Sequence, residues 1–254
     1  IRVQAGLDAA KNVAAWSYRV ATPSISWQRA TATNNTKVKL DAQADEGATL
    51  LPYARGASVT EWVPLDVDVA AIPIGYWRSV GASLNVFAAE SMIDMLAAAA
   101  GEDPFAFRIS RISDPRTLAV LAAADAASAW RKTLPTGHAW GMAIAKAFGT
   151  IVCEVVDVSQ PVAGSLTVHR VACAVDCGIA VNPDQVTAQM EGGIIHGLNA
   201  TLWGQITFKG GVAQQTNFSK ARMLRMQEAP EITVSIVKNT FDPSGTGEPA
   251  VPPV

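Results

Sequence analysis

The residues from Val175 to Gln185, VDCGIAVNPDQ, join a predicted β-strand to a predicted α-helix. Asn182 suits the N-cap of that helix, because its side-chain oxygen can accept a hydrogen bond from a backbone N–H group that the first turn leaves free. Pro183 suits the first helical position, where a proline loses no hydrogen bond, and Gln185 stands where a capping box carries Glu or Gln. The pattern predicts a helix from there to about Trp203.

This predicted helix carries one apolar stripe that contains two glycines. The stripe consists of Val186, Met190, Gly193, Ile194 and Gly197. Residues at this spacing lie on one face of a helix, so we expect the stripe to be buried. Because glycine has no Cβ, we also expect another stretch of backbone to pack closely against this face.

The rest of the chain contains further predicted strands and helices without an internal repeat, and we expect an α+β fold with mixed sheets flanked by helices. The predicted strand regions are 16–40 (with loops), 139–158, 165–176 and 232–237, with a turn near Pro161 and Gly164. The other predicted helices run from the N-cap Ser83 to a stop at Gly101 and from Asp114 to Lys132, with Pro115 in first position. The first of these is expected to bury Leu84, Phe87, Ala88, Ser91, Met92, Met95, Leu96 and Ala99. The loop 134–137 predicts a division into 1–135 and 136–254.

Composition excludes several classes of protein. The chain has 254 residues, 49% of them hydrophobic and 17% charged, which indicates a globular protein with a large core. Its net charge of −2 argues against a nucleic-acid partner, since such binding depends on neutralising phosphates. No run approaches the roughly 18 apolar residues of a membrane span.

Both ends look cut, because no initiator Met is present and the chain stops just after a glycine-rich turn, so we expect a fragment or a processed piece.

The three cysteines, Cys153, Cys173 and Cys177, do not fit a disulfide framework or a zinc site. We expect them to be small buried apolar residues. The histidines are too scattered along the chain to form a set of metal ligands, so no metal-binding side chain is predicted.

The first candidate site is the loop Trp77-Arg78-Ser79-Val80-Gly81, which runs into the start of a predicted helix. Free N–H groups at a helix start, with a guanidinium beside them, suit an anion such as a phosphate. The same spacing also fits an ordinary loop with a solvated arginine. A second candidate is Gln189, whose amide could offer one acceptor and two donors to a heterocycle, or could simply face solvent.

The third candidate is the segment Gly245-Thr246-Gly247-Glu248-Pro249. Its glycines and the following Ala250 match the loose dinucleotide pattern G-x-G-x-x-A, but the prolines oppose the helix that this pattern requires. What is left is a rigid turn that holds one carboxylate. Glu248 is then either a turn residue in solvent or a positioned general base.

Taken together, these segments resemble the molybdopterin-binding subunit of the xanthine oxidase and aldehyde oxidoreductase family. The matching segments, in order, are Trp77–Gly81, Glu90–Asp94, Gly101–Arg108, Val175–Gly178 with Asn182-Pro183 and Gln189–Gly193, and Gly247–Pro249. The sequence of the loop Trp77–Gly81 is most similar to that of the isoquinoline 1-oxidoreductase β-subunit branch, which includes membrane-bound aldehyde dehydrogenases. One departure is that the family's Arg-Gly-x-Gly appears here as Arg78-Ser79-Val80-Gly81.

The resemblance implies a fold that is part of a molybdopterin-binding domain and an oxidoreductase activity. It implies a molybdenum–molybdopterin cofactor, usually the cytosine dinucleotide in bacteria, and oxidation of an aldehyde or hydroxylation of an N-heteroaromatic with water-derived oxygen. Glu248 would be the catalytic base. The residues expected to bind the cofactor are Trp77, Arg78, Ser79, Val80, Gly81, Gln189 and Gly247. The two segments 1–135 and 136–254 would each be part of a molybdopterin-binding subdomain, the first partial and the second truncated.

The resemblance also implies partners. The family's glycine-rich stretch ending in Phe and a Gln near the metal are missing, so the rest of the molybdopterin subunit, on this or another chain, must complete the site. Electrons would pass to [2Fe–2S] clusters on a small partner subunit, and this branch adds a c-type cytochrome subunit. A periplasmic, membrane-associated location is expected, with a cytoplasmic one as the alternative. The rival functions are a non-catalytic assembly module of the same fold and an NAD-dependent dehydrogenase using Gly245 to Ala250.

Overall fold

The computed structural model describes residues 1–26, 41–65 and 75–254. The strand region predicted over 16–40 is confirmed as far as residue 22, and the part at 27–40 lies outside the described residues. The fold is α+β with mixed sheets, as predicted. The division into two subdomains at residue 135 stays a prediction.

The first sheet contains three strands, β1 (Arg2–Leu7), β2 (Val13–Thr22) and β3 (Ala57–Pro64). They lie in the order β1-β2-β3, with β1 antiparallel and β3 parallel to the central strand. The alternation of buried and exposed residues along β2 places Trp16, Tyr18 and Val20 in the core.

The second sheet carries most of the predicted strands. Its strands are β4 (His138–Ala147), β5 (Thr150–Ser159), β6 (Thr167–Asp176) and β9 (Glu231–Ile236), in the order β4-β5-β6-β9. Strand β9 pairs parallel with β6 and the other pairs are antiparallel. The sequence pattern does not reveal the tight turn between β4 and β5, where Phe148 and Gly149 both have positive φ (54° and 78°). A two-residue hairpin favours that conformation, but Phe gives no turn signal. A small hairpin of β7 (Phe208–Lys209) and β8 (Val212–Ala213) completes the strands.

Helix α1 (Ala82–Ala100) confirms one predicted boundary and corrects the other. It ends at Gly101, which takes the left-handed conformation (φ 68°) that closes many helices. The predicted N-cap Ser83 is wrong, because Gly81 occupies that position and Ser83 lies inside the first turn.

The predicted buried stripe of α1 is also wrong for its largest members. Leu84 and Phe87 are each 70% exposed and Met95 is 64% exposed. The face that is buried carries Ala82, Asn85, Val86, Ala89, Glu90, Ile93, Leu96, Ala97 and Ala100. The buried face is therefore rotated away from Leu84, Phe87 and Met95, and it includes the hydrogen-bonded polar residues Asn85 and Glu90.

The remaining helices are α2 (Pro104–Ile109), α3 (Pro115–Ala127) and α4 (Pro183–Trp203), with short 3₁₀ turns at Ala129–Thr133 and Met226–Glu228. Helices α3 and α4 lie close to predicted ones, whereas α2 was not predicted. Asp114 caps α3 by accepting a hydrogen bond from Arg116 N–H. The α-helix stops at Ser128, where the hydroxyl bonds back to the Ala124 carbonyl, so the predicted end at Lys132 falls in the 3₁₀ turn.

Helix α4 matches its prediction in start, end and buried face. Asn182 Oδ1 accepts a hydrogen bond from Gln185 N–H at 3.1 Å, and Pro183 occupies the first position. The stripe predicted for this helix is buried together with Leu198. It packs on the sheet face that carries Val152, Val171 and Cys173.

Among the described residues, one helix, α1, has the length and composition of a membrane-spanning helix. Core helices of globular domains often share these properties, and α1 packs against β1 and β4. The three cysteines are buried and free, as predicted.

Candidate active site

The three segments singled out in the sequence meet at the side chain of Arg78. Its Nε donates to the Gly247 carbonyl at 2.7 Å, Nη1 to the Gly192 carbonyl at 3.1 Å, and Nη2 to Gln189 Oε1 at 3.2 Å. One guanidinium thus joins the loop 77–81, helix α4 and the turn 245–249. The planar fork of arginine suits this role, because it aims several N–H groups in fixed directions.

Glu248 is held by the same loop. The backbone N–H of Ser79 donates to Glu248 Oε2 at 2.7 Å, which is a short, charge-assisted hydrogen bond. One carboxylate oxygen is therefore fixed by the protein. The segment 245–250 forms turns and no helix, as its prolines predict, so it does not have the structure that a dinucleotide fingerprint requires.

The loop that holds Glu248 is strained. Ser79 and Val80 have φ values of 75° and 49°, in the left-handed region that glycine favours and a β-branched residue rarely adopts. Each such residue costs about 1 to 3 kcal/mol, and such conformations persist when surrounding contacts fix them.

Side-chain and backbone contacts fix the end of the loop and the start of α1. A Cβ on Gly81 would lie 2.1 Å from the Gln43 carbonyl oxygen, so this position needs glycine. Asn85 Nδ2 donates to the carbonyls of Ala44 and Glu46, each at 2.9 Å. The hydroxyl of Tyr18 donates to Asn85 Oδ1 at 2.8 Å. The first turn of α1 is therefore tied to the segment 43–46.

A second carboxylate, which the sequence pattern does not single out, lies near this site. Partial burial raises the pKa of Glu46, and the nearby charges of Glu248 and Asp45 raise it further. No sequence signal marks Glu46, because its proximity to Glu248 depends on packing between segments far apart in the chain.

The turn 245–249 is supported from both sides. Gly245 N–H donates to the Phe148 carbonyl at 3.0 Å, and Thr150 Oγ1 and Ser244 Oγ lie 2.6 Å apart. On the other side, a Cβ on Gly193 would lie 2.9 Å from Ala250 Cβ, and one on Gly197 would lie 2.3 Å from Val254 Cγ1. The close backbone approach expected from these two glycines is thus confirmed.

Asp176 connects the strand before α4 to the segment before the turn. It accepts two hydrogen bonds from Arg116, at 2.9 and 2.8 Å, and others from Gly178 N–H and the Asn239 side chain. Burial alone would raise the pKa of Asp176, but these hydrogen bonds and the Arg116 charge lower it overall. Asp176 therefore ties Asn239, in the segment before the turn, to Arg116 and to the end of the strand before α4.

The surface formed by Gln189, Gly192 and Gly247, called the cradle below, has features that suit a flat, polar group. Gln189 is exposed, and its Oε1 faces Arg78, which leaves the Nε2 donors directed elsewhere. The nearest atom to a Cβ on Gly247 would be that same Oε1, at 3.8 Å, so a side chain there would fill the space in front of the amide. A Cβ on Gly192 would meet nothing within 4 Å. These residues fit the edge of a heterocyclic cofactor, since they offer amide donors beside an unobstructed backbone.

The other candidate residues are placed as follows. Trp77 is 44% exposed and contacts the ring of His196 on α4, with ring centroids 4.8 Å apart. Within the described ranges, no group of three His, Cys, Asp or Glu side chains could hold a metal ion.

Comparison with known proteins gives the family. The model of the molybdopterin cofactor-binding domain matches residues 86–230. The chain is 35% identical over 203 residues to the isoquinoline 1-oxidoreductase subunit beta of Brevundimonas diminuta, an alignment that covers 76% of this chain and 26% of that protein. It is 25% identical over 284 residues to a membrane-bound aldehyde dehydrogenase [pyrroloquinoline-quinone] of Gluconacetobacter polyoxogenes, covering 98% of this chain and 35% of the relative.

The fold is that of a solved structure, quinoline 2-oxidoreductase from Pseudomonas putida 86. The two superpose with a TM-score of 0.78 over 97% of this chain and 56% of the other, at 12% identity. The chain spans only about a quarter to a third of the length of the two relatives in sequence. Because the family model covers more than half of the residues, and the resemblance to the isoquinoline oxidoreductase branch is confirmed, this chain belongs to the molybdopterin cofactor-binding domain family.

Proposed function

We propose that this chain forms half of the active site of a molybdenum hydroxylase large subunit. The enzyme would oxidise an aldehyde to a carboxylic acid or hydroxylate an N-heteroaromatic compound with oxygen from water. The observation that carries this proposal is the fixed carboxylate of Glu248, held by Ser79 N–H at the edge of the cradle that Arg78 assembles. The names of the two relatives support these two substrate classes.

Glu248 would act as the general base. With Oε2 held by Ser79 N–H, Oε1 can take the proton of the water-derived nucleophile while the carboxylate keeps its orientation. Such a base needs a restrained geometry more than any other property, and here one backbone donor and a proline turn supply it. The molybdenum–molybdopterin cofactor, when bound, would supply the redox chemistry.

Cofactor binding is proposed for the surrounding residues in different ways. Gln189 would offer its amide to the pterin, and Gly247 would leave room for it. Arg78 already bonds two carbonyls and the Gln189 side chain, so its role would be to hold the cradle together. Trp77, Ser79, Val80 and Gly81 would present the loop and its N–H groups to the cofactor. The cytosine dinucleotide form is part of this proposal.

The whole enzyme would need other components. The remainder of the molybdopterin subunit would complete the cradle, and a small [2Fe–2S] subunit would receive the electrons, with a c-type cytochrome subunit as the further acceptor. A periplasmic, membrane-associated location is proposed with them.

The test is the substitution Glu248→Gln in the full-length enzyme complex. The amide keeps the size of the side chain but cannot take a proton, so we expect kcat to fall by about 100-fold or more while molybdenum stays bound. The exposed Glu231 offers a control, because Glu231→Gln removes a charge of the same sign on the edge strand β9. Unchanged turnover in Glu248→Gln would contradict the base role and favour the non-catalytic module. Activity that requires added NAD would favour a dehydrogenase.

A further inference from the structure

We propose that His196 is a positioning residue of this site, which supports Trp77 and thereby holds the strained loop 77–81 against helix α4. The two rings contact each other with centroids 4.8 Å apart and planes inclined by 37°. His196 lies about one helical turn after Gly192, whose carbonyl accepts a hydrogen bond from Arg78. The imidazole and the guanidinium contact therefore occur on the same stretch of α4. The catalytic part of this proposal rests on the proposed function.

The loop needs such support because its own conformation is unfavourable. Ser79 and Val80 both lie in the left-handed region, so the backbone would relax without external contacts. The C-terminal end of the loop is fixed by Gly81 packing on Gln43, and its centre by the side chain of Arg78. Trp77 lies at the N-terminal end, and among the described residues its aromatic partner is His196.

The environment of His196 favours ring packing over a role in proton transfer. Burial lowers the pKa of His196, and the positive charge of Arg78 lowers it further, so the neutral form of the ring is favoured. Its Nε2 is buried and has no hydrogen-bond partner among the described residues. A buried polar atom without a partner costs stability, so the benefit of this residue must come from its ring. A phenyl ring should therefore replace the imidazole well.

Loss of the ring contact would reach Glu248 through the backbone. Trp77 precedes Arg78, which anchors Gly247, and Ser79, whose N–H holds Glu248. If Trp77 moves, the N–H group that orients the carboxylate moves with it. A displacement of about 1 Å at a reacting group can cost 100-fold in rate.

The experiment compares His196→Ala, His196→Gln and His196→Phe in the full-length holoenzyme. Ala and Gln both remove the ring, and we expect kcat to fall by about 10- to 100-fold while KM and molybdenum content change little. Phe keeps the ring, and we expect kcat within about threefold of the original enzyme. The control is His169→Ala, which removes an imidazole that stacks on His138 at 4.2 Å in the second sheet. It should leave kcat unchanged.

A second readout does not depend on turnover. The fluorescence of Trp77 is obtained by subtracting the spectrum of a matched Trp77→Phe variant. Its emission maximum should shift to the red, and its quenching by acrylamide should increase, in His196→Ala and His196→Gln but not in His196→Phe. If His196→Ala does not accumulate as folded protein, the comparison of His196→Gln with His196→Phe tests the proposal.

Three results would overturn the proposal. These are an unchanged Trp77 spectrum in Ala or Gln, full kcat in either, or rescue by Gln and not by Phe, which would assign the role to a hydrogen bond from Nε2. Failure of the proposed function is distinguishable, because it appears as retained turnover in Glu248→Gln, whereas the Trp77 spectra still report whether His196 holds the loop.

Discussion

Helices α1 and α4 both contribute to the candidate site, yet they bury faces of different kinds. Helix α4 buries Val186, Met190 and Ile194 with two glycines, as its apolar periodicity predicts. Helix α1 buries the polar residues Asn85 and Glu90 among alanines and a few larger apolar side chains, and leaves Leu84 and Phe87 exposed. Apolar periodicity therefore locates a helix, but it predicts the buried face correctly only where no hydrogen-bonded polar side chain lies on that face.

The carboxylate of Glu90, on the buried face of α1, is hydrogen-bonded by several donors. Glu90 accepts hydrogen bonds from Tyr53 Oη at 2.7 Å, from Arg108 Nε at 3.1 Å and from Ile144 N–H at 3.0 Å. Burial raises the pKa of Glu90, and the Arg108 charge and these donors oppose the shift. Arg108 Nη2 also donates to Glu90, at 3.1 Å, and with four donors directed at one carboxylate the geometry favours the ionised pair. This cluster joins α1 to α2, β4 and the segment around Tyr53.

The largest expected effect comes from breaking this pair. Arg108 is completely buried, so Arg108→Met would leave Glu90 in the core without its cation. We expect a loss of about 3 to 5 kcal/mol in the free energy of unfolding, measured by denaturant titration of the full-length protein.

A double variant separates the lost pair from lost packing. Adding Glu90→Leu to Arg108→Met removes the unpaired charge, so part of the lost stability should return. If the single variant were as stable as the original protein, the ionised pair would be the wrong description of this cluster.

A smaller effect is expected from the close approach at α4. Gly197→Ala places a methyl group where Val254 Cγ1 and the Val251 carbonyl oxygen would be 2.3 and 2.8 Å away. Such overpacking costs about 1 to 3 kcal/mol. Gly192→Ala is the matched control in the same helix, because a Cβ there meets nothing within 4 Å, and it should stabilise the helix by about 0.5 to 1 kcal/mol. Equal thermal midpoints for the two variants would contradict the packing described for residues 250–254.

The two helix starts differ as well, and this difference predicts a still smaller effect. Helix α4 begins with the Asn182 side chain bonded to Gln185 N–H, whereas α1 begins at Gly81 without a side-chain cap. Asn182→Ala should cost about 1 kcal/mol, while Asn182→Asp should be close to neutral, since Asp caps equally well. Thermal unfolding of the two variants measures the contribution of the cap. A neutral Asn182→Ala would show that packing alone sets the start of α4.

The contrast between the two helices also explains how much the sequence could predict. The segments of the site, the boundaries of α4 and the strands of the second sheet follow from local signals such as Asn182-Pro183 and runs of valine. The inner face of α1 does not, because Glu90 is inside only by virtue of partners as distant in sequence as Tyr53 and Arg108. Ser83 fails as an N-cap for a similar reason, since the left-handed loop before it directs its hydroxyl to Arg78 and Ser79.

Within the site, sequence motifs find the residues but not their contacts. Nothing in the motifs indicates that Arg78 bonds backbone carbonyls, that Ser79 N–H holds Glu248, or that Glu46 lies near Glu248. Each depends on backbone geometry assembled from segments more than a hundred residues apart, or on φ values that residue type disfavours.

The last prediction contrasts two buried glutamates, Glu90 and Glu154. Its effect on stability is close to zero near pH 4 and grows as pH rises. Unlike Glu90, Glu154 receives no hydrogen bond from a nitrogen or oxygen donor among the described residues. It lies on the same face of β5 as Val152, which α4 covers. Burial raises the pKa of Glu154 well above its usual range, although the nearby Cys173 thiol opposes the shift. The folded state therefore keeps the proton that the unfolded chain releases above its pKa of about 4.3, so stability falls as pH rises from there.

Glu154→Gln removes this titration while keeping the size of the side chain. The variant and the original protein should have similar stability near pH 4, and the variant should gain relative stability steadily as pH rises to 8. Glu231→Gln, at an exposed position, should show no such trend and serves as the control. A pH-independent difference between Glu154→Gln and the original protein would mean that Glu154 is paired in the native state, and the contrast with Glu90 would then disappear.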